Sequence, residues 1–244
     1  MAVQTEQPTE QPTDQPTQRR TQRPAQRPAD ASGTTHAPFC VLLGPDYAGK
    51  SSALGHLGRS EPRWRMLSVD DAFLAPEHAL IGRLRRHALE DVAAHQNAWS
   101  PELFATLVQA GVVHLRDELL RADPDTPVLV DSYYYKLLAK CRLAGASDGP
   151  LFAWWRTFPQ PLRVVYLDVT PETAWQRCRR GADLNLLEYY GPHPEWDAFR
   201  RYQNDLAKSL LGEIQHLPLT VIAEQDRPED TVAAIREVLT REFA

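Results

Sequence analysis

The chain has 244 residues, of which 43% are hydrophobic and 24% are charged, as in a soluble globular protein with one large or two small domains. Its net charge of −5 argues against a general binder of nucleic-acid polymers, which needs a basic face to neutralise phosphates. The three cysteines are scattered along the chain, which excludes a disulfide framework. The sequence has no apolar run near the roughly 20 residues of a membrane span and no apolar secretory signal, which excludes a membrane protein. We therefore expect a reduced, cytoplasmic protein.

The first 36 residues differ in composition from the rest. From Thr5 onward they repeat a four-residue unit of Thr, Gln and Pro and contain almost nothing apolar. Such a segment cannot offset the entropy cost of ordering its backbone. We therefore predict a disordered tail at 1–36 and one folded domain at 37–244.

From Pro38 onward, short apolar runs alternate with longer amphipathic stretches. The apolar runs lack a period of two, which is typical of strands buried on both faces of a parallel sheet, and Ser100-Pro101 and Thr170-Pro171 are typical helix starts. The predicted strands are Phe39–Leu43, Arg65–Val69, Val128–Asp131, Val164–Val169 and Leu219–Ile222. The predicted helices are Lys50–Leu57, Pro76–Ala94, Pro101–Ala122, Tyr134–Ala144, Pro171–Arg180, Pro194–Glu213 and Pro228–Glu242. This alternation predicts a three-layer α/β fold with a central parallel five-stranded sheet and helices on both faces.

The first predicted strand runs directly into a segment with the pattern GxxxxGK[ST]. Between a buried strand and a helix, this pattern is the P-loop of nucleotide-binding proteins. Glycines at its ends let the backbone wrap closely around phosphate oxygens, and the helix that follows adds the positive end of its dipole. Lys50 is placed to reach the β- and γ-phosphates, and Ser51 to bind Mg²⁺. We therefore predict a P-loop NTPase-type fold that binds ATP and Mg²⁺ through Gly44, Pro45, Asp46, Tyr47, Ala48, Gly49, Lys50, Ser51 and Ser52.

A P-loop alone does not distinguish among kinases, GTPases and ATPases. The chain contains no NKxD segment with which a GTPase would read its base, and it is short for a mechanical ATPase. The sequence thus favours a kinase that acts on a small molecule.

Further segments resemble the thymidylate kinase family of nucleotide kinases and the related nucleoside kinases. The loop GPDYAGKSS is similar to that family's P-loop, with Asp46 at its third position. In the run 159–177, a strand that ends in Leu-Asp-Val is followed by Pro-Glu and then by Arg177, which resembles the family's fourth strand and the helix after it. The resemblance extends from about Phe39 to the C-terminus. It implies a lid at about 179–195, adenine binding near 219–230 and a homodimer.

Three arginines, Arg177, Arg179 and Arg180, end a predicted helix beside this lid. Phosphoryl transfer mainly requires positioning and positive charge around the reacting phosphoryl group. We expect at least one of the three to close over the phosphates, with Arg177 and Arg180 as the catalytic candidates. The alternative is a basic helix end that complements its own dipole.

Carboxylates follow two of the predicted strands. Asp131 ends an apolar strand, as a Mg²⁺ ligand of the Walker-B kind does. The resembling family has an arginine directly after this aspartate, which grips the acceptor phosphate, whereas this chain has Ser132. Asp70 and Asp71 follow another strand, and either one is a candidate general base for a hydroxyl acceptor or a cap of the next helix.

A set of aromatic residues could form a wall for a planar base, although aromatics more often belong to the core. They are Trp99, Phe104, Tyr133, Tyr134, Tyr135, Trp154 and Trp155. The histidines show no metal-ligand spacing in the sequence. We therefore predict an ATP- and Mg²⁺-dependent kinase whose acceptor is a nucleoside, a nucleoside monophosphate or a related small molecule. The alternative is a nucleotide-binding regulator that no longer transfers phosphate, because the arginine after Asp131 is missing.

Overall fold

The computed structural model describes residues 36–92, 95 and 98–244. Its centre is a parallel sheet of five strands in the order β2-β3-β1-β4-β5. The strands are β1 (Phe39–Leu43), β2 (Arg65–Leu67), β3 (Val128–Asp131), β4 (Arg163–Asp168) and β5 (Leu219–Ala223). The five predicted strands and the predicted fold class are thus confirmed, with shifts of one or two residues at some strand ends. The predicted tail lies outside the described residues except for His36, which is buried with its ring centroid 5.6 Å from that of Phe39.

Helices cover both faces of the sheet. They are α1 (Lys50–Ser60), α2 (Ala79–His87), α3 (Pro101–Arg121), α4 (Tyr135–Leu143), α5 (Pro150–Trp155), α6 (Pro171–Arg177), α7 (Trp196–Ile214) and α8 (Pro228–Glu242). The expected caps form, because the Ser100 and Thr170 side chains accept hydrogen bonds from the amides of Leu103 and Thr173. Within the described ranges, none of the helices has the combination of length and apolar composition that crossing a membrane requires.

Three helical stretches differ from the predicted ones. The predicted helix Pro76–Ala94 consists of a 3₁₀ turn at Pro76–His78, then α2, then a π-helical turn at Ala88–Val92, and its last two residues lie outside the description. Helix α5 was not predicted, since six residues are too few to show a helical period. Helix α6 ends at Arg177 rather than at Arg180 because Arg179 and Arg180 adopt left-handed φ angles of 51° and 55°.

The strands are buried on both faces, as their continuous apolar runs predict. In β1, Phe39, Val41 and Leu43 face a core that is closed by α3, α4, α5 and α7. Cys40 and Leu42 face the opposite core, which is closed by α1 and α8. This alternation is the period of two that a strand imposes.

A buried carboxylate joins three elements on the first of these faces. Glu213 of α7 accepts hydrogen bonds from Arg142 of α4 at 2.9 Å and from Arg156, just after α5, at 2.7 Å. Its side chain is only 6% exposed, whereas Asp148, which binds the same two arginines, is 48% exposed. A buried charge depends on its partners far more than an exposed one does.

We therefore expect Glu213→Gln to lower the free energy of unfolding by about 2 kcal/mol, because two guanidinium groups lose a buried charged acceptor. The matched control is Asp148→Asn, which touches the same arginines at the surface and should cost less than about 1 kcal/mol. Urea unfolding of the whole protein measures both values. Equal losses for the two variants would contradict the role assigned to burial.

Candidate active site

The carboxyl ends of β1, β2 and β3 open into one cavity of about 230 Å³. Parallel strands all end at the same edge of a sheet, so the loops that follow them meet there. The polar wall residues at the strand ends, in the loops that follow them and at the start of α1 are Asp46, Lys50, Ser51, Asp70, Asp131 and Ser132. Aliphatic side chains of α2, α3 and α4 form much of the remaining wall.

The loop after β1 has the backbone that the P-loop pattern requires. Gly44 and Gly49 adopt φ angles of +152° and +92°, and Tyr47 adopts +59°. A Cβ atom at Gly44 would lie 2.7 Å from the carbonyl oxygen of Leu167, so only glycine fits beside β4. The loop wraps around the Lys50 side chain, because the buried Lys50 Nζ donates to the carbonyls of Gly44 at 3.2 Å and Pro45 at 2.9 Å. Burial and the neighbouring Lys136 ammonium lower the pKa of Lys50 to about 7.

Two of the predicted carboxylates reach the cavity and one does not. Asp70 accepts a hydrogen bond from the Ser51 hydroxyl at 3.1 Å, and Asp131 accepts one from Ser68 at 3.0 Å. Asp71 is 60% exposed, pairs with Arg86 and is not part of the cavity wall. The structure therefore favours Asp70 over Asp71 as the acid that faces a bound molecule.

The oxygen donors at this point suit a magnesium ion. Mg²⁺ prefers carboxylate and hydroxyl oxygens and keeps several waters, so it needs only one or two carboxylates from the protein. Ser51, Asp70 and Asp131 provide such oxygens in the wall of one cavity. The pair predicted from the sequence, Ser51 and Asp131, is part of this set, and Asp70 was not predicted as a ligand.

Two lysines of α4 form a part of the site that we did not predict. Lys136 Nζ lies 2.7 Å and Lys140 Nζ 3.0 Å from the same oxygen of the buried Asp46, and Lys140 also lies 3.6 Å from Glu188. Burial alone would raise the pKa of Asp46, but the two ammonium groups outweigh it and hold that pKa far below its usual range. The signal in the sequence was the four-residue spacing of the two lysines, which places them on one face of a helix.

The predicted lid segment packs against the P-loop. Residues 178–195 consist of turns and irregular backbone. The Tyr47 hydroxyl donates to the carbonyl of Asp183 at 2.7 Å and lies 3.2 Å from the carboxylate of Glu188. These contacts bring the segment over the loop that begins α1.

The three arginines at the end of α6 differ in their partners. Arg177 donates to the Tyr47 carbonyl at 3.1 Å and therefore lies on the P-loop. Arg179 pairs with Asp183 of the lid segment. The Arg180 side chain is exposed and forms no hydrogen bond or ion pair within the part of the chain that the structure describes. Arg177 thus lies on the loop, whereas the Arg180 side chain is open to solvent.

The aromatic residues divide between core and cavity. Tyr134, Tyr135 and Trp155 are fully buried in the core, and Trp154 packs on Phe158 with its ring 42% exposed. Phe104 and Tyr133 are in the wall of the cavity, and Trp99 lies in a neighbouring depression beside it. The Tyr133 hydroxyl is buried and has no hydrogen-bond partner among the described residues.

A second group of potential ligands lies away from this cavity. His78, His114 and Glu118 bring their ligand atoms within 4.8 Å of one another, although their sequence spacing did not indicate it. Both carboxylate oxygens of Glu118, however, are bound by guanidinium groups of Arg65 and Arg121. A cation would have to displace these two positive charges, so the group is better described as an ion-pair cluster.

A parallel sheet of this order with a P-loop after its first strand is the fold of a P-loop nucleotide kinase. Among solved structures, thymidylate kinase from Candida albicans matches with a TM-score of 0.57 and 13% identity, over 86% of this chain and 94% of that one. Deoxyadenosine kinase from M. mycoides, solved with dCMP and dCDP, matches with a TM-score of 0.56 and 10% identity, over 83% and 98% of the two chains. The structure of the same enzyme with dATP gives a TM-score of 0.52. The fold is therefore thymidylate kinase-like. No protein-family model and no curated protein sequence matches the chain.

The close approach of the P-loop to β4 leads to a stability prediction. We expect Gly44→Ala to destabilise the protein by at least about 1–3 kcal/mol, since alanine is strained at this φ and its methyl group would collide with the Leu167 carbonyl. The matched control is Gly212→Ala in α7, where the added methyl group meets nothing within 4 Å. That change should stabilise the protein by up to about 1 kcal/mol, because alanine favours a helix over glycine. Thermal unfolding distinguishes the two, and effects of the same sign would contradict this account.

Proposed function

We propose that the protein is an ATP- and Mg²⁺-dependent phosphotransferase that transfers the γ-phosphoryl group of ATP to a small acceptor. The observation that carries this proposal is the single cavity in which the P-loop Lys50 and Ser51 face Asp70 and Asp131. In such a site the triphosphate binds at the loop, and the acceptor enters the adjoining cavity lined by α2, α3 and α4. The thymidylate kinase-like fold supports a nucleoside, a nucleoside monophosphate or a related small molecule as acceptor.

The roles of the residues follow from their chemistry. The backbone N–H groups of residues 47–52 and the Lys50 ammonium bind the phosphates, which are also stabilised by the amino-terminal end of α1. Ser51 and Asp131 would hold Mg²⁺, and Asp70 accepts a hydrogen bond from the same Ser51 hydroxyl. When bound, Mg²⁺ neutralises charge on the phosphate oxygens. Arg177 and Arg180 bring further positive charge from the lid side.

In the proposed reaction, an acceptor oxygen forms a bond to the γ-phosphorus. The bond from that phosphorus to the β,γ-bridging oxygen breaks at the same time, and its electron pair leaves with ADP. If the acceptor oxygen belongs to a hydroxyl group, the proton of that group passes to the Asp70 carboxylate. Asp70 faces the cavity, where one of its carboxylate oxygens accepts a hydrogen bond from the Ser51 hydroxyl and the other pairs with Arg85 at 3.1 Å, so Asp70 can accept a proton from a neighbouring hydroxyl.

Exchange of Asp70 and of its neighbour tests this role. Asp70→Asn should lower kcat by about 10²–10⁴, as expected for loss of a general base, while Asp71→Asn, an exposed change outside the cavity wall, should leave kcat near wild type. The assay couples ADP release to a colour change across a panel of nucleosides and nucleoside monophosphates. Equal losses of kcat in the two variants, or a loss in Asp71→Asn alone, would contradict the assignment of Asp70 as the general base.

The absence of turnover on every acceptor would instead favour a second candidate, a nucleotide-binding regulator. The observation in its favour is Ser132, which stands where the resembling family has an arginine. Such a regulator would still bind Mg²⁺–ATP, would lose that binding with Lys50→Ala and would be indifferent to Arg180→Ala. An enzyme should lose transfer with either variant. If millimolar ATP with Mg²⁺ leaves the melting temperature of the wild-type protein unchanged, both candidates fail.

A further inference from the structure

The chain uses lysine in very few places. Of its 27 lysine and arginine residues, only Lys50, Lys136, Lys140 and Lys208 are lysines. Three of these four are in the wall of the cavity described above, and the fourth is exposed on α7. Lysine carries a compact, rotatable point charge, whereas arginine carries a rigid planar fork. Three of the four lysines lie at one site, in a chain that otherwise uses arginine. This distribution indicates a need at the site for ammonium groups that can change partners.

Two of these ammonium groups meet at one carbonyl. Lys50 Nζ lies 2.9 Å and Lys136 Nζ 3.3 Å from the carbonyl oxygen of Pro45, in the P-loop. Lys50 is the residue that the P-loop pattern assigns to the β- and γ-phosphates. Because Lys136 approaches the same carbonyl from α4, on the cavity side, a phosphate that draws Lys50 away from Pro45 comes within reach of Lys136 as well.

The pairing of Asp46 permits such a movement. Loss of the only cation that is paired with a buried carboxylate strongly destabilises a protein. Asp46, however, has two cations on one oxygen, Lys136 at 2.7 Å and Lys140 at 3.0 Å. If Lys136 changes partner, Lys140 still neutralises Asp46, so the P-loop keeps its shape.

We propose that Lys136 is a second catalytic cation of the phosphoryl transfer proposed above, on which this inference rests. Its ammonium leaves Pro45 and Asp46 and binds an oxygen of the γ-phosphoryl group, while Lys140 remains on Asp46. Lys136 forms and breaks no covalent bond: the bonds exchanged are those between the γ-phosphorus, the acceptor oxygen and the β,γ-bridging oxygen. Its positive charge stabilises the charge that the phosphoryl group carries during transfer.

A comparison of two nucleotides tests this without knowledge of the acceptor. The ligands are Mg²⁺–ADP and a Mg²⁺ complex of a non-hydrolysable ATP analogue, and their Kd values are measured by calorimetry. Lys136→Met should weaken binding of the analogue by about tenfold, the loss of one charge-assisted hydrogen bond, and should leave binding of ADP unchanged. Lys136→Arg should restore much of the preference for the analogue. Lys208→Met, which removes the exposed lysine, should match wild type with both ligands.

The outcomes separate this inference from the function on which it rests. Wild-type affinities of Lys136→Met for both nucleotides would overturn it, and so would equal weakening of both, since that result points to a disturbed P-loop. If Lys136→Met does not fold, the double variant Asp46→Asn/Lys136→Met removes both charges together, and it should show the same selective loss for the analogue. Failure of the wild-type protein to bind either nucleotide would overturn the proposed function itself.

Discussion

The site depends on a buried negative charge inside a loop that is built to attract negative charge. Asp46 points a carboxylate into the P-loop, where backbone amides and a helix dipole otherwise favour anions. An uncompensated carboxylate at this position would repel a phosphate and would be costly to bury. Lys136 and Lys140 remove both difficulties. Gln203 of α7 holds the same residue from the other side, because its side-chain oxygen accepts from the Asp46 amide at 3.1 Å. One ion-pair cluster thus connects the P-loop with α4 and α7.

This cluster also explains the state of Lys50. Three ammonium groups share a small cavity, and among the described residues the Lys50 ammonium donates to the carbonyl oxygens of Gly44 and Pro45. The lowered pKa of Lys50 follows from its burial and from repulsion by Lys136. A bound triphosphate would bring the negative charge that relieves this repulsion. The cavity therefore combines charged side chains beside the P-loop with aliphatic walls from α2, α3 and α4.

The sequence was informative where structure is local and uninformative where it depends on contacts across the fold. The five strands and the P-loop could be predicted because apolar runs and glycine spacing act over a few residues. The choice between Asp70 and Asp71 could not be predicted from the sequence. It depends on the end of β2 at Leu67, before the buried Ser68 whose hydroxyl donates to Asp131. The lysine pair was missed for the same reason: the spacing on α4 was visible, but its partner Asp46 lies 90 residues earlier in the chain.

The aromatic run after β3 has a structural consequence that reaches the site. Ser132 and Tyr133 both adopt left-handed φ angles, 58° and 46°, which cost on the order of 1–3 kcal/mol each in residues other than glycine. Burial of Tyr134 and Tyr135 in the core holds the chain in this turn. Helix α4 starts directly after the turn, so the turn determines which face of α4 points to the P-loop. Tyr134 and Tyr135, which the sequence offered as part of a wall for a planar base, thus lie in the core and hold the helix that carries Lys136 and Lys140 to Asp46, whereas Tyr133 is in the cavity wall.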